Sequence, residues 1–129
     1  MIKQISVFIE NKPGSLADIT GVLAKNNINI NAMNIAETSD YGLLRLIVEE
    51  TDKTLKALND EGYITHVSDV VKVQIPDEPG SLNGILTKLA AEDINVKYMY
   101  SIFSLQDGKA CLIFKVDDCE KAEKVLEED

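Results

Sequence analysis

The sequence predicts an α+β protein made of two βαββαβ units that follow one another along the chain. The first observation is a repeat: Pro13-Gly14-Ser15-Leu16 returns unchanged as Pro79-Gly80-Ser81-Leu82, 66 residues later. The second is that residues 5–48 and 71–114 align without a gap and share 15 residues in 44 positions, where unrelated segments would share roughly 3. Strand-type and helix-type apolar periodicities also follow in the same order in both copies. We therefore predict a duplication, with domains at residues 1–68 and 69–129.

A strand and a helix open the first copy. Ile5, Val7 and Ile9 alternate with polar or exposed positions, which is typical of a half-buried strand. Ser15 is predicted to cap the helix that follows, with Asp18 three residues later completing a capping box. The helix is expected to bury one apolar stripe. That stripe consists of Leu16, Ile19, Leu23 and Ala24.

The remainder of the first copy contains a hairpin, a second helix and a short closing strand. Asp40-Tyr41-Gly42 predicts the hairpin turn. Thr51 or Asp52 is expected to cap the second helix and Gly62 to end it. The predicted strands are Ile28–Ile35, a strand through Leu44, Leu46 and Val48, and Tyr63–Val67. The second copy repeats this course at Val71–Ile75, Leu82–Ala91, Ile94–Ile102, Ala110–Val116 and Cys119–Leu126.

The element order βαββαβ predicts the ferredoxin-like arrangement, an antiparallel sheet with both helices on one face. Each copy has about 65 residues, a size at which a hydrophobic core is marginal, so the two units are expected to pack together. Aligning the second helices places Asp129 opposite Gly62, and the second unit is therefore expected to lack a counterpart of Tyr63–Val67. Either that strand is missing from this sequence or a partner chain covers the edge that it leaves.

The composition excludes several classes of protein. Thirteen basic residues stand against 22 acidic ones, a net charge of −9, so no cationic surface is available to replace counterions and no nucleic-acid partner is expected. No apolar run reaches the length of a membrane span, about 18 residues or more. Met1-Ile2-Lys3 leads directly into a strand pattern, which predicts no signal peptide. Two cysteines suit a reducing cytoplasm better than a disulfide scaffold.

Signals for catalysis or metal binding are weak. His66 and Arg45 are the single histidine and arginine of the chain, and neither belongs to a recognisable catalytic motif. We therefore expect no catalytic residue, no metal and no cofactor, with His66 at the surface or between domains. Cys111 is expected to be a buried apolar residue. Cys119 begins a helix, which would lower its pKa, but its acidic neighbours would raise it.

Aromatic residues are concentrated in the second copy. Tyr98, Tyr100 and Phe103 are expected to pack between copies or protomers rather than to stack on a ligand. The end of the chain, Glu120–Asp129, is interpreted as a solvated acidic helix end.

Other ferredoxin-like modules do not match this sequence. An RNA-recognition module needs aromatic residues on its central strands, and Leu43–Val48 carries none. A metallochaperone needs a Cys-x-x-Cys loop, and an acyl-phosphate hydrolase needs an arginine in its first loop; Asn11–Leu16 has neither. The paired Pro-Gly-Ser-Leu loops, each between a first strand and a first helix, remain as the functional signal.

At these loops the chain resembles a known family. Residues 7–16, VFIENKPGSL, followed by residues 23–30, LAKNNINI, resemble an ACT domain, and residues 73–82 with 89–96 resemble a second one. Members of that family typically bind amino acids and regulate amino-acid metabolism, usually as domains fused to enzymes, although some bind nothing and serve only in assembly. The resemblance covers nearly the whole chain and so implies a stand-alone tandem ACT protein.

Two functions follow from that resemblance. The first is a non-catalytic amino-acid-binding sensor or regulatory subunit, such as the small subunit of acetolactate synthase, with an enzyme as partner. The alternative is a ligand-free assembly module. The open edge of the second unit also leads us to expect a homodimer.

The chemistry of the two loops is consistent with an amino-acid ligand. Gly14 and Gly80 lack a Cβ and allow a ligand to approach the backbone closely. Pro13 and Pro79 stiffen the approach, and the amides that open each helix favour an anion such as an α-carboxylate. An α-ammonium could be received by Asn11 or Asp77 on the loops and by Asn29 or Asn95 at the second strands, and Ile30 or Val96 could line a side-chain pocket.

The candidate binding residues of the two copies correspond one to one. They are Asn11, Pro13, Gly14, Ser15, Leu16, Asn29 and Ile30 in the first copy, and Asp77, Pro79, Gly80, Ser81, Leu82, Asn95 and Val96 in the second. The alternative interpretation is an efficient strand-to-helix turn, in which glycine provides the geometry and serine the cap. In either interpretation Leu16 and Leu82 are expected to lie in the core.

Overall fold

The computed structural model describes residues 1–103 and 108–127. The described chain contains ten elements, which confirm the predicted α+β class. They are β1 (Ile2–Glu10), α1 (Ser15–Lys25), β2 (Ile30–Glu37), β3 (Tyr41–Val48), α2 (Thr51–Asp60), β4 (Thr65–Pro76), α3 (Ser81–Ala91), β5 (Val96–Ser101), β6 (Lys109–Val116) and α4 (Cys119–Glu127).

The contacts of the chain divide it into two compact units, and β4 passes from one to the other. The first unit is Lys3–Ser68, and the second consists of Met1–Ile2 together with the chain from Asp69 onward. The sequence predicted two separate strands, Tyr63–Val67 and Val71–Ile75, where the structure has the single strand β4. That prediction was wrong because nothing between the two segments breaks a strand: the stretch contains neither glycine nor proline and is rich in valine.

The first unit has the strand order β2-β3-β1, and all described pairings are antiparallel. Its core lies on the face of the sheet that carries α1 and α2, as the ferredoxin-like order predicts. Alternate residues of β1 and β3 reach this core, which confirms the predicted alternation. The buried cluster consists of Ile5, Val7, Ile9, Ile19, Leu23, Leu44, Leu46, Val48 and Leu58. On the opposite face of β1, Gln4 is also buried and donates a hydrogen bond to Ser68.

The second unit repeats this arrangement with the strand order β4-β6-β5 and its own core against α3 and α4. That core consists of Val71, Val73, Ile75, Leu89, Ile94, Leu112, Phe114, Val116 and Ala122. The second unit ends at α4 within the described residues, and no described strand follows this helix. The ammonium group of Met1 pairs with the carboxylate of Glu123 on α4. Glu128 and Asp129, part of the predicted acidic helix end, lie outside the described residues.

The start of α1 differs from the prediction. Gly14, not Ser15, is the N-cap residue, and no side chain caps the helix, so the predicted capping box of Ser15 and Asp18 was wrong. Gly14 adopts a φ of 90° and its carbonyl accepts the backbone N–H of Asp18 at 2.8 Å, so that Ser15 is already helical. Leu16 is 37% exposed and Ala24 is also exposed, so the prediction that both are core residues was wrong. The buried stripe of α1 consists of Ile19 and Leu23.

Several other boundaries move by a few residues. β2 begins at Ile30 rather than Ile28, because Asn27 takes a left-handed φ of 56° and completes a turn after α1. Gly62 ends α2 with a φ of 87°, as predicted, but the N-cap of α2 is Glu50 rather than Thr51 or Asp52. The hairpin turn is confirmed, although Gly42 lies inside β3 and the turn itself precedes Tyr41.

Leu23→Ala and Leu16→Ala separate the buried from the exposed position on α1. Leu23 is 1% exposed, so its truncation leaves a cavity in the first core and is expected to cost about 2–5 kcal/mol. Leu16→Ala removes a side chain that is partly in water, and we expect a cost of about 1 kcal/mol or less. Urea unfolding followed by far-UV circular dichroism measures both. Equal losses of stability would contradict the placement of Leu16.

Candidate ligand-binding site

The two Pro-Gly-Ser-Leu loops have the same backbone conformation. Gly14 has φ and ψ of 90° and −16°, and Gly80 has 88° and −13°. A Cβ added at either glycine would meet no atom within 4 Å, so space does not explain these glycines. The left-handed φ explains the two glycines, since this conformation destabilises an ordinary L-residue by about 1–2 kcal/mol. The geometric part of the turn interpretation therefore holds in both units.

This conformation leaves backbone donors available at the start of each helix. Ser15 N–H bonds to the carbonyl of Lys12 at 3.3 Å, and Asp18 N–H bonds to Gly14. Between them, the amides of Leu16 and Ala17 donate to no acceptor in the described part of the chain. The first turn of an α-helix presents such donors together with the positive end of the helix dipole. An anion is the natural partner of this arrangement.

The loop of the first unit borders a hollow of about 240 Å³. One wall comes from β1 and the loop, and the other from the ends of β2 and β3, which the register Ile9↔Gly42 and Glu37↔Gly42 brings together. Its lining residues are Ile9, Glu10, Asn11, Lys12, Ser15, Leu16, Ile35, Glu37 and Gly42. We call this hollow the first-loop pocket.

The first-loop pocket combines apolar walls with charges of both signs. Leu16 and Ile35 are 37% and 41% exposed, so large apolar surfaces face the opening. Lys12 lies 3.3 Å from the carboxylate of Glu10, with both side chains largely in water. Such an exposed ion pair is worth little and leaves Lys12 available to another carboxylate. Glu37 supplies a second carboxylate on the hairpin side.

Asn11 fixes the loop to the hairpin. Its backbone N–H bonds to the carbonyl of Asp40 at 3.0 Å, and its side-chain Nδ2 donates to the carbonyl of Thr38 at 3.1 Å. The side-chain oxygen of Asn11 therefore remains the group that a ligand ammonium can use. In the second unit, the backbone of Asp77 makes the corresponding bond to Gly108 at 3.1 Å.

The structure does not bring all predicted site residues to this pocket. Asn29 and Ile30 lie at the opposite end of β2, where Ile30 pairs with Val48, while Glu37 pairs with Gly42 at the pocket end. Seven residue steps along β2 separate Ile30 from Glu37, a distance of about 23 Å. Asn29 is exposed, and Ile30 packs against the first core. Val96 likewise packs against the second core, and Asn95 is exposed.

Pro13 and Pro79 are exposed on the turns, and Ser81 and Leu82 open α3 as Ser15 and Leu16 open α1. Leu82 packs against the second core, in contrast to Leu16.

Three residues that line the first-loop pocket were not predicted as site residues: Ile35, Glu37 and Gly42. Gly42 aligns with Gly108 in the repeat, which was a usable signal, but nothing in the sequence connects Ile35 or Glu37 with the loop.

Two further hollows lie in the first unit. One of about 280 Å³ adjoins the other side of the loop, between Phe8, Asp18 and Tyr63. Burial, followed by the charges of Asp18 and Glu61, raises the pKa of the Tyr63 hydroxyl. A wider depression of about 650 Å³ lies at the start of α2. Its lining includes the carboxylates of Glu49, Glu50 and Asp52 together with Lys3 and Lys53, so acidic groups outnumber basic ones at that helix terminus.

The other chemical candidates have ordinary environments. His66 is exposed on β4. Cys111 is buried, as predicted. Burial raises the pKa of the Cys119 thiol. The charge of Lys115 opposes this shift, while those of Asp69 and Glu123 add to it. A thiol with a raised pKa holds less thiolate at neutral pH and is a poorer nucleophile.

Tyr98 and Tyr100 stack on each other at 6.4 Å between ring centroids, and Phe103 is exposed. The residues that the structure describes contain no group of three or more His, Cys, Asp or Glu side chains suited to a metal ion. They also contain no helix that is long and apolar enough to cross a membrane.

The chain is 30% identical over 80 residues to a probable acetolactate synthase small subunit of Archaeoglobus fulgidus. That match takes in 57% of this chain and 50% of the relative, so the chain spans about half the length of the curated protein it matches.

Solved structures match over almost the full length. A protein of Bacteroides thetaiotaomicron is 42% identical with a TM-score of 0.92, covering 98% of this chain and 87% of that one. The ligand-free regulatory subunit of aspartate kinase from Thermus thermophilus shares the fold with a TM-score of 0.71 at 17% identity, covering 98% and 90% of the two chains. The family model of the ACT domain pair matches residues 1–129, and the chain therefore belongs to the ACT domain pair family.

Proposed function

We propose that this protein is a non-catalytic, cytoplasmic amino-acid sensor or regulatory subunit, which binds an amino acid at its Pro-Gly-Ser-Leu loops. The observation that carries the proposal is a helix start with two available amides, Leu16 and Ala17, next to a hollow that Leu16 lines and that has apolar walls and both signs of charge. An amino acid needs these three features together: donors for its carboxylate, an acceptor for its ammonium and a surface for its side chain.

The chemistry of the first-loop pocket assigns a place to each part of the ligand. The α-carboxylate meets the amides of Leu16 and Ala17, with Lys12 as a nearby cation. The α-ammonium meets the carboxylate of Glu37 and the side-chain oxygen of Asn11. The pocket of about 240 Å³ is smaller than the about 300–1,000 Å³ of sites for drug-sized molecules, which suits a small metabolite.

The affinity expected of such a site is moderate. An amino acid of about nine heavy atoms at about 0.7 kcal/mol per atom reaches about −6 kcal/mol. That free energy corresponds to a Kd of tens of micromolar, on the order of 10⁻⁵ M. A site of this strength responds to changes in a metabolite pool rather than remaining saturated.

The relatives support a role in regulation rather than in catalysis. One relative is named as an acetolactate synthase small subunit, and the shared fold includes a regulatory subunit of aspartate kinase. We propose that an enzyme of amino-acid metabolism is the partner, and that the chain acts as a homodimer. A ligand then shifts the equilibrium of the complex only through its different affinities for two states.

One observation favours the second candidate, a ligand-free assembly module. The bonds Ser15 N–H to Lys12 and Asp18 N–H to Gly14 complete the turn without a ligand. The glycine φ also follows from the turn alone. In this alternative the loops are structural, and the partner enzyme is the single binding target.

A thermal-shift screen against the twenty amino acids distinguishes the two candidates. At a concentration 100 times the Kd, binding stabilises the protein by about 2.7 kcal/mol. At about 3–5 °C per kcal/mol, Tm is expected to rise by about 10 °C for the matching amino acid. No shift with any of the twenty would contradict the sensor and favour the assembly module.

The double variant Gly14→Val and Gly80→Val tests the loops as the binding site. Valine does not take a φ near +90° without strain, so both loops change course and the first-turn amides move. Loss of amino-acid binding in titration calorimetry is expected, with the helical signal in far-UV circular dichroism retained. An unchanged affinity in a folded double variant would place the ligand elsewhere.

A further inference from the structure

We infer that the two loops are unequal: the first-loop pocket alone selects the ligand, and it takes an amino acid with an uncharged aliphatic side chain. This inference rests on the proposed function. It adds the class of ligand, the unit that binds it and the residue that sets the size of the pocket.

The charges of the two loops differ although their backbones match. Lys12 in the first loop corresponds to Glu78 in the second, 66 residues later. The second loop therefore presents Asp77 and Glu78 near the amides of α3, with no cation at the position of Lys12. The basic residue next to this loop is Lys109 on β6, which pairs with Pro76 and so lies on the hairpin side. Two carboxylates there repel the carboxylate of an approaching amino acid.

The hairpin side of the site differs as well. Glu37 corresponds to Phe103, and Glu10 corresponds to Pro76. Among the described residues, Phe103 therefore stands where Glu37 supplies a carboxylate to the first-loop pocket. A zwitterion therefore finds Lys12 and Glu37 at the first loop, whereas the matching positions of the second unit hold Glu78 and Phe103.

The walls of the first-loop pocket indicate the class of side chain. Ile9 forms a buried base, while Leu16 and Ile35 present half-exposed apolar surfaces toward the opening. In the second unit, Leu82 is packed against the core, and serine stands at the position of Ile35. A branched aliphatic side chain covers these apolar surfaces, whereas a charged one would lose its hydration against them.

Gly42 sets the depth of the pocket. Its φ is not in the left-handed region, so the backbone does not require glycine there. A Cβ at this position would lie 3.1 Å from Cγ1 of Ile9 and 3.6 Å from Cγ2 of Ile35. Alanine would therefore force Ile9, which lines the pocket, to shift by a few tenths of an ångström. In the second unit, Ala110 pairs with Ile75 as Gly42 pairs with Ile9, so a Cβ already stands at this position. Gly108, which aligns with Gly42 in the sequence, has a left-handed φ of 71° and serves the turn instead.

The class of ligand is tested by titration calorimetry of the full chain with the twenty amino acids. Valine, leucine or isoleucine is expected to bind most tightly. Tightest binding of a charged, amide or aromatic amino acid would overturn the aliphatic assignment while leaving the sensor function intact. Absence of binding by all twenty would remove the proposed function itself, and the present inference with it.

The choice of unit is tested by charge reversal at matched, exposed positions. Lys12→Glu gives the first loop the charge of the second, and the Kd of the best ligand is expected to rise about tenfold or more. Glu78→Lys is the control, with an expected change below twofold. A larger effect of Glu78→Lys, or equal effects of the two variants, would overturn the assignment to the first unit.

The role of Gly42 is tested by Gly42→Ala, with Gly21→Ala as its control. Gly21 lies on α1 with no atom within 4 Å of a Cβ, and it does not line the pocket. Gly42→Ala is expected to raise the Kd of the best ligand about tenfold, while Gly21→Ala leaves it unchanged. An unchanged Kd in folded Gly42→Ala would overturn the role of Gly42 as the residue that sets the pocket depth.

Discussion

The left-handed conformation of one glycine in each unit determines where a helix begins and which amides it leaves available. With φ near 90°, Gly14 turns the chain out of β1 so sharply that Ser15 is already the first residue of α1. A side-chain cap would have used one of the first-turn donors. Because α1 has no such cap, Leu16 and Ala17 keep their N–H groups for another acceptor. The turn, the helix start and the candidate binding site thus follow from the same backbone angle.

The duplication preserves this backbone more faithfully than it preserves the side chains around it. Gly80 repeats the angles of Gly14, and Asp93 repeats the left-handed φ of Asn27 after the helix. The left-handed φ angle constrains these positions, and that backbone requirement persists when neighbouring side chains change. Side chains at the rim of the loop carry no such constraint, so Lys12 and Glu78 can differ in sign without affecting the turn. Divergence at the rim is the simplest way for one copy of a repeat to bind while the other only supports the fold.

The sequence predicts the parts of this structure that repeat with a short period. Strands β1 and β3 and the buried residues Ile19 and Leu23 follow from apolar spacing, because a single core face imposes that spacing. The start of α1 did not follow, since Ser15 satisfies the pattern of a cap and only the φ of Gly14 decides against it. Leu16 fits the helical stripe, but its side chain lines the pocket rather than the core.

The sequence predicts only one wall of the first-loop pocket, the wall formed by the Pro-Gly-Ser-Leu loop. Gly14 is identified by the repeat, and Asn11 by its position in the same loop. Ile35 and Glu37, in contrast, reach the loop through the pairing of β2 with β3 and of β3 with β1. The hairpin turn was predicted, but the register Ile9↔Gly42, which brings the hairpin to the loop, joins strands that are distant in the sequence. No local pattern encodes that register, although a shift by one residue would exchange the two faces of a strand.

The net charge of the chain also limits which ligands the first-loop pocket can bind. A net charge of −9 creates a field that disfavours any ligand bringing further negative charge. An aliphatic amino acid is a zwitterion with no net charge at neutral pH, so its carboxylate can approach only where local donors outweigh that field. Leu16, Ala17 and Lys12 provide such a place, while Asp77 and Glu78 strengthen the repulsion at the second loop. In the proposed binding mode, local charge rather than backbone geometry therefore decides which of the two equal turns is suited to an amino acid.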